Sequence, residues 1–359
     1  HGEGGYSGLR SPLERPGMSE GFSVAVVGAT GAVGEAMIEI LEARNFPVRK
    51  LYALASARSE GKTVLFRGRP VLVERLDTFD FSQVSLALFS AGGSVSAEFA
   101  PKAAAAGAVV VDNTSHFRRD EDIPLVVPEV NPGALDALPA RRIIANPNCS
   151  TIQMLVALKP LHDLVRLRRI EVATYQAVSG AGSSGVEELA RQTAELLNAR
   201  SHDPKVFTKQ IAFNVIPHID TFQGNGFTRE EMKMVWETQK ILGDESILVN
   251  PTCVRVPVFF GHSEAVSVVG KAPLTVEKAR AALAKAPGVT LMDGQSNGAY
   301  PTPVPNAAGE DAVFVGRLRE SLTAPGGLNL WVVSDNVRKG AALNSVQIGE
   351  LIQDKLPNR

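Results

Sequence analysis

Apolar positions along this chain follow two rhythms. Phe22-Ser23-Val24-Ala25-Val26-Val27 is a short β-branched run of the buried-strand kind. Beyond a glycine-rich turn, Met37, Ile40 and Leu41 fall at helical spacing until Asn45-Phe46-Pro47 ends the segment. Further strands are predicted at 50–55, 86–89, 109–112 and 142–145, with helical segments between several of them. That alternation predicts a doubly wound parallel sheet. After about Leu161 longer strands are predicted at 168–176, 210–216, 253–260 and 264–269, with helices at 184–198 and 228–242. Strands that outlast the βαβ rhythm imply a second, α+β domain with a mixed or antiparallel sheet. A Gly/Pro/Asn-rich stretch follows at 293–309, and the closing stretch 341–356 places Leu343, Val346, Leu351 and Ile352 at helical intervals.

Composition agrees with two domains, because 359 residues exceed what one core usually holds. With 44% hydrophobic residues, 21% charged residues and a net charge of −1, the chain is expected to be soluble, globular and without general attraction to nucleic acid or anionic membrane. No apolar run approaches the ~18 residues of a spanning helix. Two cysteines cannot make a disulfide framework, so a reducing cytoplasm is the expected location; no metal site is expected. Residues 1–17 are Gly/Pro-rich, lack the apolar stretch of a signal peptide, and read as a tag remnant ahead of Met18.

The chemistry concentrates in Asn146-Pro147-Asn148-Cys149-Ser150-Thr151, a polar turn between the apolar run 142–145 and the helix-like run 152–158. A strand-to-helix turn exposes the thiol near free backbone N–H groups, where a thiolate is favoured and an oxyanion can be held. Cys149 is therefore a candidate nucleophile. The alternative for a free cysteine is a small apolar core residue, and Cys253, among apolar strand positions, is assigned there.

Gly28, Gly31 and Gly34 form G-x-x-G-x-x-G, together with Thr30, Ala32 and Val33, between the first strand and the first helix. Glycines there permit a tight turn and let backbone amides approach a pyrophosphate at the helix start; a plain βα turn is the alternative. An NAD site would place an acidic residue at the end of the second strand, but the chain reads Ala55-Ser56-Ala57-Arg58-Ser59. Hydroxyls and a guanidinium suit a 2′-phosphate and favour NADP over a merely solvated basic loop.

These stretches, GATGAVG, ASARSEGK, SAGGSVS, NPNCST, YQAVSGAG, EEMK, CVRVPVFFGHSE and SDNVRKGAA, stand in an order and spacing that resembles the aspartate-β-semialdehyde dehydrogenase family over nearly the whole length after Met18. The resemblance implies a Rossmann-type NADP-binding domain at 18–148, joined by the C-terminal helix 339–359, and a second α+β catalytic and dimerisation domain at 149–338. It implies a homodimer acting on a small molecule. The implied reaction is NADPH-dependent reduction of L-aspartyl-4-phosphate to L-aspartate 4-semialdehyde with release of phosphate, toward lysine, threonine, methionine and isoleucine.

Carried onto matching positions, the resemblance makes Cys149 the acyl-accepting thiolate, His262 the acid/base and Gln176 the residue that orients the intermediate. Arg255 would bind the α-carboxylate, Glu230 the amino group, and Lys233 and Arg118 the phosphate, with Asn148 in the same pocket; Arg119 is ranked below Arg118 by register alone. From spacing alone Glu230 and Lys233, three apart on a helix, read as an exposed ion pair. Seven residues separate Arg255 from His262, so on one uninterrupted strand they would face opposite ways, and Gly261 must mark a bend if they share a pocket. Ser90, Gly92 and Gly93 resemble a second cofactor loop, and Ser179, Gly180, Gly182 and Asn336 match positions near the nicotinamide. The competing readings are N-acetyl-γ-glutamyl-phosphate reductase and a non-redox Cys–His thiol hydrolase. Asn148 and Ser150 beside the cysteine count against the first, and the glycine loop is unexplained by the second.

Overall fold

The computed structural model describes residues 21–359, so the reading of residues 1–17 lies outside the described residues. The chain opens as β1 (Phe22–Val27), α1 (Ala32–Ala43), β2 (Val48–Ala55), β3 (Thr63–Phe66), β4 (Arg69–Arg75), β5 (Leu86–Phe89), α2 (Gly93–Ala105), β6 (Val109–Asp112) and β7 (Ile143–Ala145). These strands form one sheet in the order β3-β4-β2-β1-β5-β6-β7, parallel except for the edge strand β3. β1 is covered on both faces: Val24 and Val26 pack with Met37, Ile40 and Leu41, while Ala25 and Val27 pack with Phe81, Phe89 and Phe117. That is why its sequence is continuously apolar rather than alternating. From β1 the chain moves to β2 on one side and later to β5 on the other, which opens a crevice at the carboxyl end of β1. Gly34 closes the first turn of α1 onto Gly28, where a β-carbon would run into the Gly28 carbonyl.

α3 (Cys149–Val165) leaves β7 and is buried nearly all round, so it serves both halves of the molecule. Beyond it come β8 (Leu167–Gln176), α4 (Ser183–Leu197), α5 (Arg229–Leu242), β9 (Leu248–Arg255), β10 (His262–Gly270), α6 (Val276–Ala284), β11 (Val289–Leu291), β12 (Val313–Glu320) and β13 (Leu328–Ser334). The second sheet runs β11-β12-β13-β10-β8-β9 and is mixed, with β10 antiparallel to both β8 and β13 and β8 parallel to β9. Finally α7 (Leu343–Leu351) returns to the first sheet, where Val346, Ile348, Ile352 and Leu356 join the core of Val24, Leu41 and Phe46.

Three predicted elements differ. Residues 210–216 form no strand: the Gln192 side chain takes the Ile211 and Ala212 amides, Phe213 has a left-handed φ of 60°, and Ile211, Ala212 and Ile216 pack as a loop against Val178 and Leu189. Strand 253–260 begins earlier and stops at Arg255, because β9 loses its ladder before Pro257 and the chain turns through Gly261 at φ 104°. The closing helix is shorter, with a wide turn over Arg338–Ala342 before α7 and a 3₁₀ turn after it. The pattern also left β3, β4 and β11 to β13 unannounced.

Candidate active site

The strand-to-helix turn after β7 places Cys149 as the first residue of α3. Asn148 is the N-cap: its Oδ1 accepts the Ser150 and Thr151 amides at 3.1 and 3.2 Å, satisfying donors that the helix start leaves free. This spends the Asn148 oxygen on the fold, and its Nδ2 donates to Glu230 Oε1 at 2.7 Å. Cys149 Sγ lies 3.2 Å from His262 Nε2, across 113 residues of chain.

The protonation of His262 follows from a backbone group. The Ala177 N–H, which can only donate, points at His262 Nδ1 at 2.9 Å, so the neutral ring carries its hydrogen on Nε2, toward the sulfur. Burial, with Arg255 adding to it, holds His262 well below the ordinary imidazole range, so the ring is neutral. In this tautomer the ring is the hydrogen-bond donor toward the sulfur. Cys149 itself is half-buried at the cleft, where desolvation and then the Glu230 charge push its thiol up to about 12, opposed by Arg255, Arg118 and Lys233.

Around the sulfur the cleft encloses about 250 Å³ and is bordered by Arg118, Asn148, Gln176, Glu230, Lys233 and Arg255. Gln176 ends β8 with its orientation fixed, because Thr174 Oγ1 donates to its Oε1 at 2.8 Å and frees its Nε2 toward Glu230 Oε1 at 3.4 Å. Burial raises the Glu230 carboxyl, but Lys233, the Asn148 amide and Arg255 outweigh it and hold the group below the usual carboxylate range. Lys233 is 3.4 Å from Glu230 Oε2 and 3.1 Å from Asp220 Oδ2, and these charges overcome burial and keep it cationic. Glu230 is buried and Lys233 half-buried, so the pair belongs to the cleft rather than to an exposed helix face, which periodicity could not reveal. Arg255 pairs in register with Gln176, donates Nη1–H to the Ala177 carbonyl at 2.8 Å and keeps a buried Nε without a partner. Its sharing of a pocket with His262 comes from the loop between β9 and β10, whose Gly261 packs on Pro303.

Two family models match consecutive parts of the chain: a semialdehyde dehydrogenase NAD binding domain over residues 23–138 and a semialdehyde dehydrogenase dimerisation domain over 158–339. The aspartate-semialdehyde dehydrogenase of Legionella pneumophila is 61% identical over 336 residues, covering 94% of this chain and 97% of the relative. The chain belongs to the aspartate-semialdehyde dehydrogenase family. Among solved structures, aspartate semialdehyde dehydrogenase II of Vibrio cholerae, described as complexed with ASA, aligns with a TM-score of 0.92 at 60% identity over 94% of this chain and 99% of that one. The enzyme of Candida albicans with NADP aligns with a TM-score of 0.73 at 25% identity, over 93% and 99% of the two chains.

Within this family member the expected cofactor residues divide into a rim and a floor. Gly28, Thr30, Gly31, Ala32, Val33 and Gly34 occupy the β1–α1 turn, and Ser56, Arg58 and Ser59 the exit of β2. The two segments meet where Thr30 Oγ1 lies 3.4 Å from Ser59 Oγ. Ser90, Gly92 and Gly93 follow β5, with Ser90 backed against Gly28. Val33, Ser179, Gly180 and Asn336 reach the cleft beside Cys149, whereas Gly182 caps α4 and does not border it. Asn336 holds that floor together by accepting the Gly261 amide at 2.9 Å and donating to Ser179 Oγ at 3.0 Å. Sequence reading missed Thr174, the Ala177 backbone, Asp220 and Glu237. Only Glu237 left a signal, continuing the α5 face of Glu230 and Lys233 by one turn. Among the described residues no cluster of His, Cys, Asp or Glu could hold a metal ion, and no helix is long and apolar enough to cross a membrane.

Proposed function

We propose that the chain catalyses the NADPH-dependent reduction of L-aspartyl-4-phosphate to L-aspartate 4-semialdehyde and phosphate, the activity its family membership carries, through a thioester on Cys149. The observation that carries the reading is Cys149 Sγ at a helix start, 3.2 Å from the Nε2–H of His262, in a cleft that holds Glu230, Lys233, Arg118 and Arg255. The positive end of the α3 dipole and the His262 Nε2–H favour the negative charge that develops as Cys149 attacks. Arg255, which borders the cleft with Nη2 uncommitted, receives the α-carboxylate; Glu230 takes the free amino group, and Lys233 and Arg118 hold the phosphate. An acylated amine offers no charge to the Glu230 carboxylate, which disfavours the N-acetyl-γ-glutamyl substrate.

The residues present fit NADP: a glycine turn at the carboxyl end of β1, hydroxyls of Thr30 and Ser59 beside it, and Arg58 with no acidic residue at the exit of β2. The Candida albicans neighbour is described with NADP. When bound, that group supplies the hydride that reduces the thioester. The chain's own part is to keep the sulfur and the Arg255 guanidinium beside one floor made by Ser179, Gly180 and Asn336, the residues that would meet that group. We further assign residues 18–148 with 339–359 to NADP binding and 149–338 to catalysis and dimerisation, in a cytoplasmic homodimer, on the matched dimerisation model and the return of α7 to the first sheet.

Phosphate-dependent reduction of NADP with aspartate semialdehyde tests the reaction. Cys149→Ala is expected to abolish it while NADPH binding survives. Ester or amide hydrolysis without NADP or phosphate dependence would favour the thiol hydrolase instead.

A further inference from the structure

α5 turns Glu230, Lys233 and Glu237 toward one side, at spacings of three and four residues. The first two border the cleft; Glu237, at 3% exposure, has no part in the chemistry described so far. Its Oε1 accepts the backbone N–H of Asn148 at 2.6 Å, and its Oε2 accepts Arg118 Nη1–H at 3.3 Å. Arg118 otherwise donates Nε–H to the Asn146 carbonyl at 2.8 Å and Nη2–H to the Asn113 carbonyl at 3.0 Å. One carboxylate therefore ties together the loop after β6, the turn after β7 that carries the nucleophile, and a helix that packs on β9.

We propose that Glu237 is a positioning residue for phosphate recognition, which holds the Arg118 guanidinium at the cleft wall and links its position to the turn that presents Cys149. The inference rests on Arg118 as a phosphate contact. Burial raises the Glu237 carboxyl and Arg118 and the Asn148 amide oppose that rise; with each oxygen accepting an N–H, Glu237 is the anionic partner of Arg118, whereas the carbonyls of Asn146 and Asn113 are neutral. A buried cation deprived of its counter-ion is unfavourable and moves toward other charge, here Glu230 or solvent. With Glu237 in place, three of the five guanidinium hydrogens are committed and two remain for an anion in the cleft that Arg118 borders.

Glu237→Gln separates this role from simple packing. The amide keeps one oxygen, which the shorter Asn148 bond retains, and sets its NH₂ against Arg118 Nη1, donor against donor. In phosphate-dependent oxidation of aspartate semialdehyde, the KM for phosphate should rise at least about tenfold, with the KM for the semialdehyde changed by less than about twofold. In an Arg118→Ala background the same substitution should add nothing to the phosphate KM, because its effect passes through the guanidinium. Arg118→Ala without effect on the phosphate KM removes the reading of Arg118 and the inference with it. Arg118→Ala with a raised phosphate KM and Glu237→Gln without one overturns the inference alone. So does a Glu237→Gln effect that is additive in the Arg118→Ala background and that lowers Tm and both affinities together, since that is a structural role. If Glu237→Gln does not fold, Glu237→Asp, which keeps the charge one methylene short, carries the same comparison.

Discussion

Replacing Arg255 by lysine keeps the charge of the cleft and removes its geometry. Arg255 spends Nη1 on the Ala177 carbonyl at 2.8 Å and borders the cleft with Nη2 uncommitted, so it can stay anchored while presenting a second, directed donor to a carboxylate. A lysine ammonium is a mobile point charge that cannot hold the anchor and match a planar carboxylate at once. The loss is about one charge-assisted hydrogen bond, roughly 1.5–3 kcal/mol, or about 10- to 150-fold in kcat/KM for aspartate semialdehyde. Part of the loss should fall on kcat, because Arg255 is in register with Gln176 and next to the Ala177 backbone that also positions His262, so a shifted substrate brings its carbonyl badly to Cys149. Steady-state kinetics with the semialdehyde varied at saturating phosphate and NADP, and then with phosphate varied, read the two ends of the pocket separately. A lysine variant within about twofold of wild type for the semialdehyde, or one altered only in its phosphate KM, would refute the assignment of Arg255 to the carboxylate.

Three further outcomes are expected. With the thiol pushed up to about 12 and the neutral His262 a donor at Nε2, alkylation of unliganded Cys149 by iodoacetamide should climb steadily from about pH 6 to about pH 9 with no inflection in the imidazole range; a plateau by about pH 7 would reveal a thiolate–imidazolium pair. Arg58→Ala should raise the KM for NADPH about 10- to 150-fold and leave that for NADH nearly unchanged, and equal weakening of both would show that Arg58 does not read the 2′-phosphate. Glu264 is fully buried, and burial, only partly opposed by the neighbouring Gln153 amide, pushes its carboxyl well above the usual range. The folded group stays neutral while the unfolded one ionises above about pH 4.3, so wild-type stability from this group is present below that pH and is lost as pH rises toward the folded value. Glu264→Gln removes the titration, and its advantage in unfolding free energy over wild type should grow with pH, at up to about 1.4 kcal/mol per pH unit; a gap independent of pH in denaturant unfolding would contradict this.

What the sequence determined by itself is local. The apolar run 22–27, the glycines at 28, 31 and 34 and the helical spacing of Met37, Ile40 and Leu41 specify one βα unit, because strand period, turn geometry and helix period are set by neighbours along the chain. The turn that presents Cys149 was legible for the same reason, and so was the absence of an acid at the end of β2, where the chain reads Ala55-Ser56-Ala57-Arg58-Ser59. Helical spacing also put Glu230 and Lys233 on one face, but it did not say whether that face met water or a second domain, and the exposed ion pair it favoured lines the cleft instead. Tertiary structure alone decided the rest. Periodicity tells which side of an element is covered and is silent on what covers it, so the 3.2 Å approach of Cys149 to His262 has no local signature. The hydrogen on His262 Nε2 is fixed by the Ala177 amide, 85 residues away, and the Arg118 guanidinium by Glu237, 119 residues away. Protonation and charge in a buried site are set by whichever donors and counter-ions the packing brings within reach, and those come from strands that the chain connects only through the fold.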